Sequence, residues 1–325
     1  MNEPILTIAI PTYNRNEKVK RIIDILSPQL NSYVKIKIID NCSSEPVANT
    51  IKDYLHIEGI EVVRNKVNVG MSGNFIKCFE LCDTEWLWML GDDDYPLVNA
   101  VEIVMSHLNQ WPNSSFFNFN SFMSCGRSRD LSVMGVEELV KKLDSFGNLL
   151  CISLGVYNIN KLFKGLRFAY QFGYSLAPQT AFLFAGLGDG QVILSNSELI
   201  DFSLHDTSPN DLWSWISLSL VIGVLTELPL NLSNGALKKF SEHLLTHVQP
   251  PEQLYSIIIN NDHYAPKEKL RIFKMIYDRS TFGELFCART LSFYKYYLKL
   301  WLYTLRHKQA DIVDLSSHYK RIERI

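Results

Sequence analysis

No stretch of the 325 residues supplies the run of about 20 apolar side chains that a membrane-crossing helix needs. No charge of one sign dominates either. The 32 Lys and Arg stand against 34 Asp and Glu, a formal net charge of −2. Without a basic excess there is no electrostatic footprint for a phosphodiester backbone, so nucleic acid is not an expected partner. Cysteines are few and scattered, at positions 42, 78, 82, 125, 151 and 287. Only Cys78 and Cys82 lie close, one helical turn apart, which is neither a disulfide framework nor a zinc set. Free thiols in a reducing cytoplasm are the expectation. The start, Met1-Asn2-Glu3-Pro4, is acidic and leads straight into a strand pattern, unlike a signal peptide. Internal repeats and low-complexity segments are also missing.

What the chain does have is an alternation of short apolar strands and helical patterns. Ile5–Ile10 is a strand stopped by Pro11, and residues 16–30 follow with helical spacing through Val19, Ile22, Ile23, Leu26 and Leu30. Val34–Ile39 and Ile60–Arg64 are the next strands, with helices expected over 47–55 and 74–82. Glu85–Leu90 is almost wholly apolar, as a central strand covered on both faces should be. This order predicts an α/β fold, a doubly wound and mainly parallel sheet with right-handed crossovers. Later segments are less regular: a helix near 97–110, strands at 115–119, 149–158 and 191–194, and helices over 136–147 and 178–187. From Asp211 onward the pattern is mostly helical. Two regions are expected, residues 1–210 as the catalytic domain and 211–325 as a helical C-terminal extension.

In sheets of this kind ligands bind outside the carboxyl ends of the strands. The polar clusters lie at those ends: Pro11–Arg15, Asp40–Ser44, Asn65–Gly73 and Gly91–Asp94. Three adjacent carboxylates, Asp92, Asp93 and Asp94, repel one another strongly unless a cation joins them. Mg²⁺ or Mn²⁺ suits carboxylate and phosphate oxygens, and a diphosphate would complete its shell. A solvated acidic turn capping the next helix is the plainer reading. Asp40 can accept a hydrogen bond from a base or ribose, or merely close an Asx-turn. Tyr13 and Arg15 can flank a base or phosphate, while Thr12 or Asn14 can cap the helix that follows. Asn65, Asn68, Gly70, Gly73 and Asn74 form a loop that lets backbone approach a ligand. Its glycine spacing fits neither a P-loop nor a dinucleotide fingerprint.

The blocks Ile8–Arg15, Ile38–Ser43, Asn65…Asn68-Val69-Gly70…Gly73-Asn74 and Trp88–Asp94 resemble, in order and spacing, family 2 glycosyltransferases of the GT-A fold. The resemblance is close over residues 4–125 and loose over 126–205. Among subfamilies it is nearest to bacterial enzymes of surface-polysaccharide assembly, including O-antigen transferases of the abequosyltransferase type. It implies transfer of a sugar from a nucleotide-diphosphate donor to a glycan or polyprenyl-linked acceptor, with inversion. Pro11, Thr12, Tyr13, Asn14 and Arg15 would cradle the nucleotide and Asp40 would read the base edge. Asn68, Gly70 and Asn74 would border base and ribose, with Asp92 in a ribose or second-ligand role. Asp93 and Asp94 would hold the metal together with His205.

Two departures from the family stand out. Gly91 occupies the place of the first acid of Asp-x-Asp, which concentrates metal binding on Asp93. At the start of the helix where inverting members carry a carboxylate base, this chain has Ala177, Pro178 and Gln179, and Gln cannot take a proton. Asp206 and Asp211 are the replacement candidates, with Asp189 a weaker third. A sugar nucleotidyltransferase is a competing class, but the basic Gly-rich loop it needs near the first strand is absent. The missing base motivates a third reading, a noncatalytic nucleotide- or glycan-binding relative. Residues 284–308 interleave aromatic and basic side chains, which suits a helix lying on the inner face of the cytoplasmic membrane. A helix packed on the catalytic domain or a second subunit is the alternative.

Overall fold

The computed structural model describes residues 3–124, 127–204, 218–219, 221–247, 250–261, 264–280 and 288–307. Its strands are β1 (Leu6–Thr12), β2 (Val34–Asp40), β3 (Ile60–Arg64), β4 (Trp86–Met89), β5 (Ser114–Asn120), β6 (Leu131–Met134), β7 (Gly155–Asn158) and β8 (Gln191–Glu198). They form one sheet in the order β3-β2-β1-β4-β7-β5-β8-β6. The first four run parallel, as do β5 and β8, whereas β7 and β6 are antiparallel to their neighbours. The sheet is therefore mixed but mostly parallel. Register aligns Thr12 with Asp40 and Asp40 with Arg64, so the carboxyl ends of β1, β2 and β3 finish in one row.

Helices α1 (Asn16–Leu26), α2 (Val47–Thr50), α3 (Gly70–Glu80) and α4 (Ala100–Gln110) follow the first four strands. Next come α5 (Gly135–Lys142), α6 (Phe146–Leu150), α7 (Ile159–Leu162), α8 (Leu166–Gln171) and α9 (Pro178–Leu187). Successive strand residues point to opposite faces, and each face is covered. On one, Ile8, Ile36 and Trp88 share a core with Val19 and Ile22 of α1 and Val104 of α4. On the other, Phe79 of α3 stacks on Phe182 of α9 with ring centroids 4.0 Å apart and meets Tyr157 of β7 edge-on. Burial on both faces is why β4 reads Trp-Leu-Trp-Met without a polar residue.

The segment 149–158, expected as one strand, is a strand only from Gly155. Before it lie the end of α6 and a 3₁₀ turn, Ile152–Leu154. Its polar groups are taken by neighbours other than a ladder partner. The Leu150 carbonyl accepts from Gln179 Nε2 at 2.9 Å, and the Ser153 carbonyl accepts from Trp88 Nε1 at 2.8 Å. The edge strand β6 has a single buried residue, Val133, and α8 a single buried residue, Ala169, so neither has a readable period. Cys82 lies just beyond α3 instead of on it. Cys42, Cys78, Cys82 and Cys151 are free, and Cys125 and Cys287 lie outside the described residues.

The chain divides into two compact units, Met1–Pro209 with Leu228–Leu237, and Asn210–Glu227 with Lys238–Ile325. The first contains the sheet. Helix α10 (Asn234–Leu245) begins in the first and ends in the second. Within the second unit, α11 (Pro251–Ile259), α12 (Pro266–Ser280) and α13 (Ala288–Arg306) bury Ile258, Phe273, Phe293 and Leu300, and Phe273 stacks on Phe293. No described helix is long and apolar enough to cross a membrane.

Close packing around α9 depends on Gly165. A Cβ there would lie 2.0 Å from the Phe182 carbonyl oxygen, a backbone atom that cannot yield. Gly165→Ala is expected to destabilise by about 3 kcal/mol or more, the upper range for overpacking. Gly235→Ala, with nothing within 4 Å of the new carbon and a helical position, should be neutral or stabilising. Urea midpoints of the two variants against the parent check both.

Candidate active site

The site is built at the carboxyl ends of β1, β2, β3 and β4. Two loops there carry left-handed residues that are not glycine, Asn14 (φ 56°) and Cys42 (φ 62°). Such conformations cost of order 1–3 kcal/mol and persist only where surroundings impose them. The imposition is visible. The Asn14 N–H donates to Ser43 Oγ at 2.9 Å, and the Ser44 N–H donates to Asn14 Oδ1 at 2.7 Å. These bonds tie the β1 loop to the β2 loop. Tyr13 is left 39% exposed on the outer side.

Asp40 is fully buried, and its carboxylate is heavily engaged. It accepts from the Ser43 N–H at 2.8 Å, the Val47 N–H at 3.3 Å and Arg64 Nη1 at 2.5 Å. Burial alone would raise its pKa, but these bonds outweigh it and hold the carboxyl below the ordinary range. Arg64 also donates to the Ser43 carbonyl at 2.6 Å, so it clamps the turn that Asp40 starts.

Asparagines organise the next loop. Asn41 Nδ2 donates to Asn68 Oδ1 at 2.8 Å, while Asn41 Oδ1 accepts from Asn65 Nδ2 and the Val69 N–H, each at 3.0 Å. Asn65 Nδ2 also donates to Asn74 Oδ1, and Asn74 Nδ2 donates to the Ile39 carbonyl at 3.0 Å. Asn68 and Asn74, expected beside base and ribose, thus hold the β3–α3 loop onto the end of β2. Gly70 (φ 77°) starts α3 in a conformation that suits glycine.

The acidic turn follows β4. Asp92 is buried: its Oδ2 accepts from Thr12 Oγ1 at 2.7 Å and its Oδ1 from Arg15 Nη1 at 2.8 Å. The same Arg15 nitrogen is 2.8 Å from Asp93 Oδ2. Burial pushes the Asp92 carboxyl above the ordinary range, and Arg15 opposes that shift while Asp93 adds to it. Asp94, also buried, points elsewhere and accepts from Ser153 Oγ at 2.6 Å. Ser153 Oγ in turn accepts from the Gly91 N–H at 2.8 Å. A Cβ on Gly91 would sit 2.9 Å from an Asp94 oxygen and 3.3 Å from Ser153 Oγ, so close packing explains why glycine stands there. Sequence reading missed Ser153 and Arg64. Each is remote in the chain from the acid it serves and carries no motif.

Of the other expected site residues, His205, Asp206 and Asp211 lie outside the described residues. Helix α9 starts at Pro178 with no acid in its first turn, and Gln179 is buried with Nε2 on the Leu150 carbonyl at 2.9 Å. Asp189 lines a 510 Å³ cavity with Ser115, Lys161 and Gln191. That cavity lies at the amino ends of β5 and β8, the sheet edge opposite the acidic turn, so Asp189 is removed from the candidate bases. Among the described residues no three His, Cys, Asp or Glu side chains form a ready-made metal set.

Residues 7–166 match the model of glycosyl transferase family 2. Among curated relatives, an uncharacterized glycosyltransferase of Haemophilus influenzae is 30% identical over 112 residues, 34% of this chain and 37% of the relative. The abequosyltransferase RfbV of Salmonella typhimurium is 27% identical over 109 residues, 32% of this chain and 33% of the relative. The chain thus spans about a third of the length of these relatives. Among solved structures, S. aureus TarS 1–349 superposes with a TM-score of 0.55 at 15% identity, covering 95% of this chain and 94% of that fragment. The same protein has been crystallised with UDP-GlcNAc. At this identity the likeness speaks to the fold, which is that of the GT-A glycosyltransferases.

The Asp40 pair gives a pH prediction. A carboxyl whose folded pKa is lowered contributes stability above its unfolded value and loses it as pH falls through the folded one. Asp40→Asn is expected to cost about 1–3 kcal/mol at pH 7, since it breaks a charge-assisted bond to Arg64. The gap to the parent should start to narrow only as pH falls below about 4. Denaturant unfolding at pH 7, 5 and 3.5 measures it.

Proposed function

We propose that the chain transfers a sugar from a nucleoside-diphosphate donor to a hydroxyl of a glycan or polyprenyl-linked glycan, with inversion, in bacterial surface-polysaccharide synthesis such as O-antigen. The observation that carries the reading is the meeting of four strand-end loops at one acidic turn inside a family 2 domain. The loops of β1 and β2 take the nucleotide through Pro11–Asn14, with the exposed Tyr13 beside the base. Asp40 and Arg64 fix the floor of this pocket, and Asn68, Gly70 and Asn74 shape its wall. The abequosyltransferase among the relatives supports the polysaccharide setting, and the UDP-GlcNAc complex of TarS supports a nucleotide-sugar donor.

The donor set suits a divalent cation. Oxygens of Asp92 and Asp93 converge on one point, held by a cationic nitrogen 2.8 Å from each. Mg²⁺ or Mn²⁺ uses one or two carboxylates and takes further ligands from phosphate and water. Asp93 and Asp92 would hold it, with His205 as a further ligand, and when bound it would neutralise charge growing on the leaving diphosphate. Asp94, engaged by Ser153, acts here as the anchor of the turn. In the reaction the acceptor oxygen attacks the anomeric carbon from the face opposite the diphosphate. The bond to the diphosphate oxygen breaks with its electron pair, and the acceptor proton passes to a carboxylate, for which Asp206 and Asp211 are the candidates.

Residues 1–210 serve as the catalytic part and 211–325 as the acceptor-side part. On α13 the exposed Leu291, Tyr294, Leu298, Leu302 and Leu305 recur along one face. Lys295, Lys299 and Arg306 are exposed on the same helix, which has no acidic residue. An apolar stripe with cationic flanks complements an anionic lipid surface, which would bring the enzyme to a lipid-linked acceptor.

Two measurements test this reading. A thermal-shift panel of UDP, GDP, dTDP and CDP with Mn²⁺ should give one nucleotide with a clear Tm rise that Asp93→Ala removes. No nucleotide-dependent rise would speak against donor binding. In flotation with phosphatidylglycerol vesicles, Leu298→Glu with Leu302→Glu should abolish partitioning at low salt. Unchanged partitioning would remove the lipid contact.

A further inference from the structure

Arg15 is expected from sequence to face a phosphate, yet its guanidinium lies on the carboxylates. One nitrogen, Nη1, stands 2.8 Å from Asp92 Oδ1 and 2.8 Å from Asp93 Oδ2. Two neighbouring carboxylates, one of them buried, repel each other, and a cation between them removes that cost. The oxygens that face the guanidinium are the same pair on which a divalent cation would sit. Both cations cannot occupy that point together.

The surroundings suit an exchange. Arg15 lies at the mouth of α1 with its side chain 26% exposed, so the guanidinium can swing toward solvent on its flexible stem. The Asp92 carboxylate does not depend on it for orientation, because Thr12 Oγ1 holds the other oxygen at 2.7 Å. Asp94 and Gly91 are pinned separately through Ser153. The turn therefore keeps its shape when the guanidinium leaves. Gly91 in place of a further acid also leaves the metal fewer carboxylates, which brings the two cations closer to parity.

We propose that Arg15 is an exchangeable counterion of the acidic turn: it neutralises Asp92 and Asp93 before metal binds, and a divalent cation must displace it. The released guanidinium would be available to the donor diphosphate, since its fork of N–H donors suits phosphate oxygens. Metal and donor thereby favour each other. Metal alone must break the Arg15 contacts, and a diphosphate gives the displaced group a new partner. This rests on the reading of Asp93 as a metal ligand.

The test is Mn²⁺ binding to the full chain without nucleotide, followed by the free-Mn²⁺ electron paramagnetic resonance signal. Arg15→Gln should bind Mn²⁺ about tenfold more tightly than the parent, the equivalent of ~1.4 kcal/mol. Asp93→Asn should lose binding. Without Mn²⁺, Arg15→Gln should melt below the parent, and saturating Mn²⁺ should remove the difference. If Arg15→Gln does not fold, Arg15→Lys takes its place with a smaller tightening expected, since a single ammonium bridges two carboxylates less well. Equal or weaker Mn²⁺ binding by the Arg15 variant, with Asp93→Asn still losing it, overturns the exchange and leaves the metal reading standing. Binding by Asp93→Asn equal to the parent overturns the metal reading itself. Absence of Mn²⁺ binding in all variants overturns the exchange as well.

Discussion

Gathering three carboxylates at the end of a buried apolar strand is electrostatically costly, and the surrounding structure is arranged to offset it. Each acid is partnered. Thr12 and Arg15 hold Asp92, Arg15 also meets Asp93, and Ser153 draws Asp94 away from the other two. The partners come from three places: the end of β1, the start of α1 and the turn before β7. Those elements have to lie beside the end of β4, and the sheet order β2-β1-β4-β7 puts them there. The antiparallel insertion of β7 next to β4 is what brings Ser153 to Gly91, 62 residues away in sequence.

The same economy governs the loops after β2 and β3. Asp40, Asn41, Asn65, Asn68 and Asn74 direct most of their hydrogen bonds into the loops instead of outward. The loops after β1, β2 and β3 thus form a prebuilt wall. Polar side chains conspicuous in the sequence shape the backbone, and backbone and exposed Tyr13 make the outer surface. Asn14 and Cys42 in left-handed conformations belong to this construction, since mild strain at fixed positions is common where a ligand is received.

The β1–β4 half of the fold was legible because β-branched runs with turn residues at regular intervals admit few other readings. Helix α1 shows its buried face in Val19, Ile22, Ile23 and Leu26. The acidic turn and its three neighbouring loops were legible for the same reason, as strand ends. Partnership was not. Arg64 reads as the last residue of a strand, and Ser153 as one of many serines, because side-chain pairing between distant segments leaves no local period. The strand expected over 149–158 failed in its first half for a related reason, since Trp88 and Gln179 take the Ser153 and Leu150 carbonyls that a ladder would have used. Gln179 stayed a puzzle from sequence. Its burial against the Leu150 carbonyl accounts for its presence at the start of α9.

The central claim is that a divalent cation and a nucleoside diphosphate meet at the Asp92–Asp93 oxygens. Anomalous diffraction at the manganese edge, from crystals grown with Mn²⁺ and a nucleoside diphosphate, measures this directly. One strong peak is expected within coordination distance of Asp93, beside density for the diphosphate and with Arg15 turned off the carboxylates. A diphosphate bound with no peak at Asp93, or with the Arg15 guanidinium still between the two acids, would contradict it.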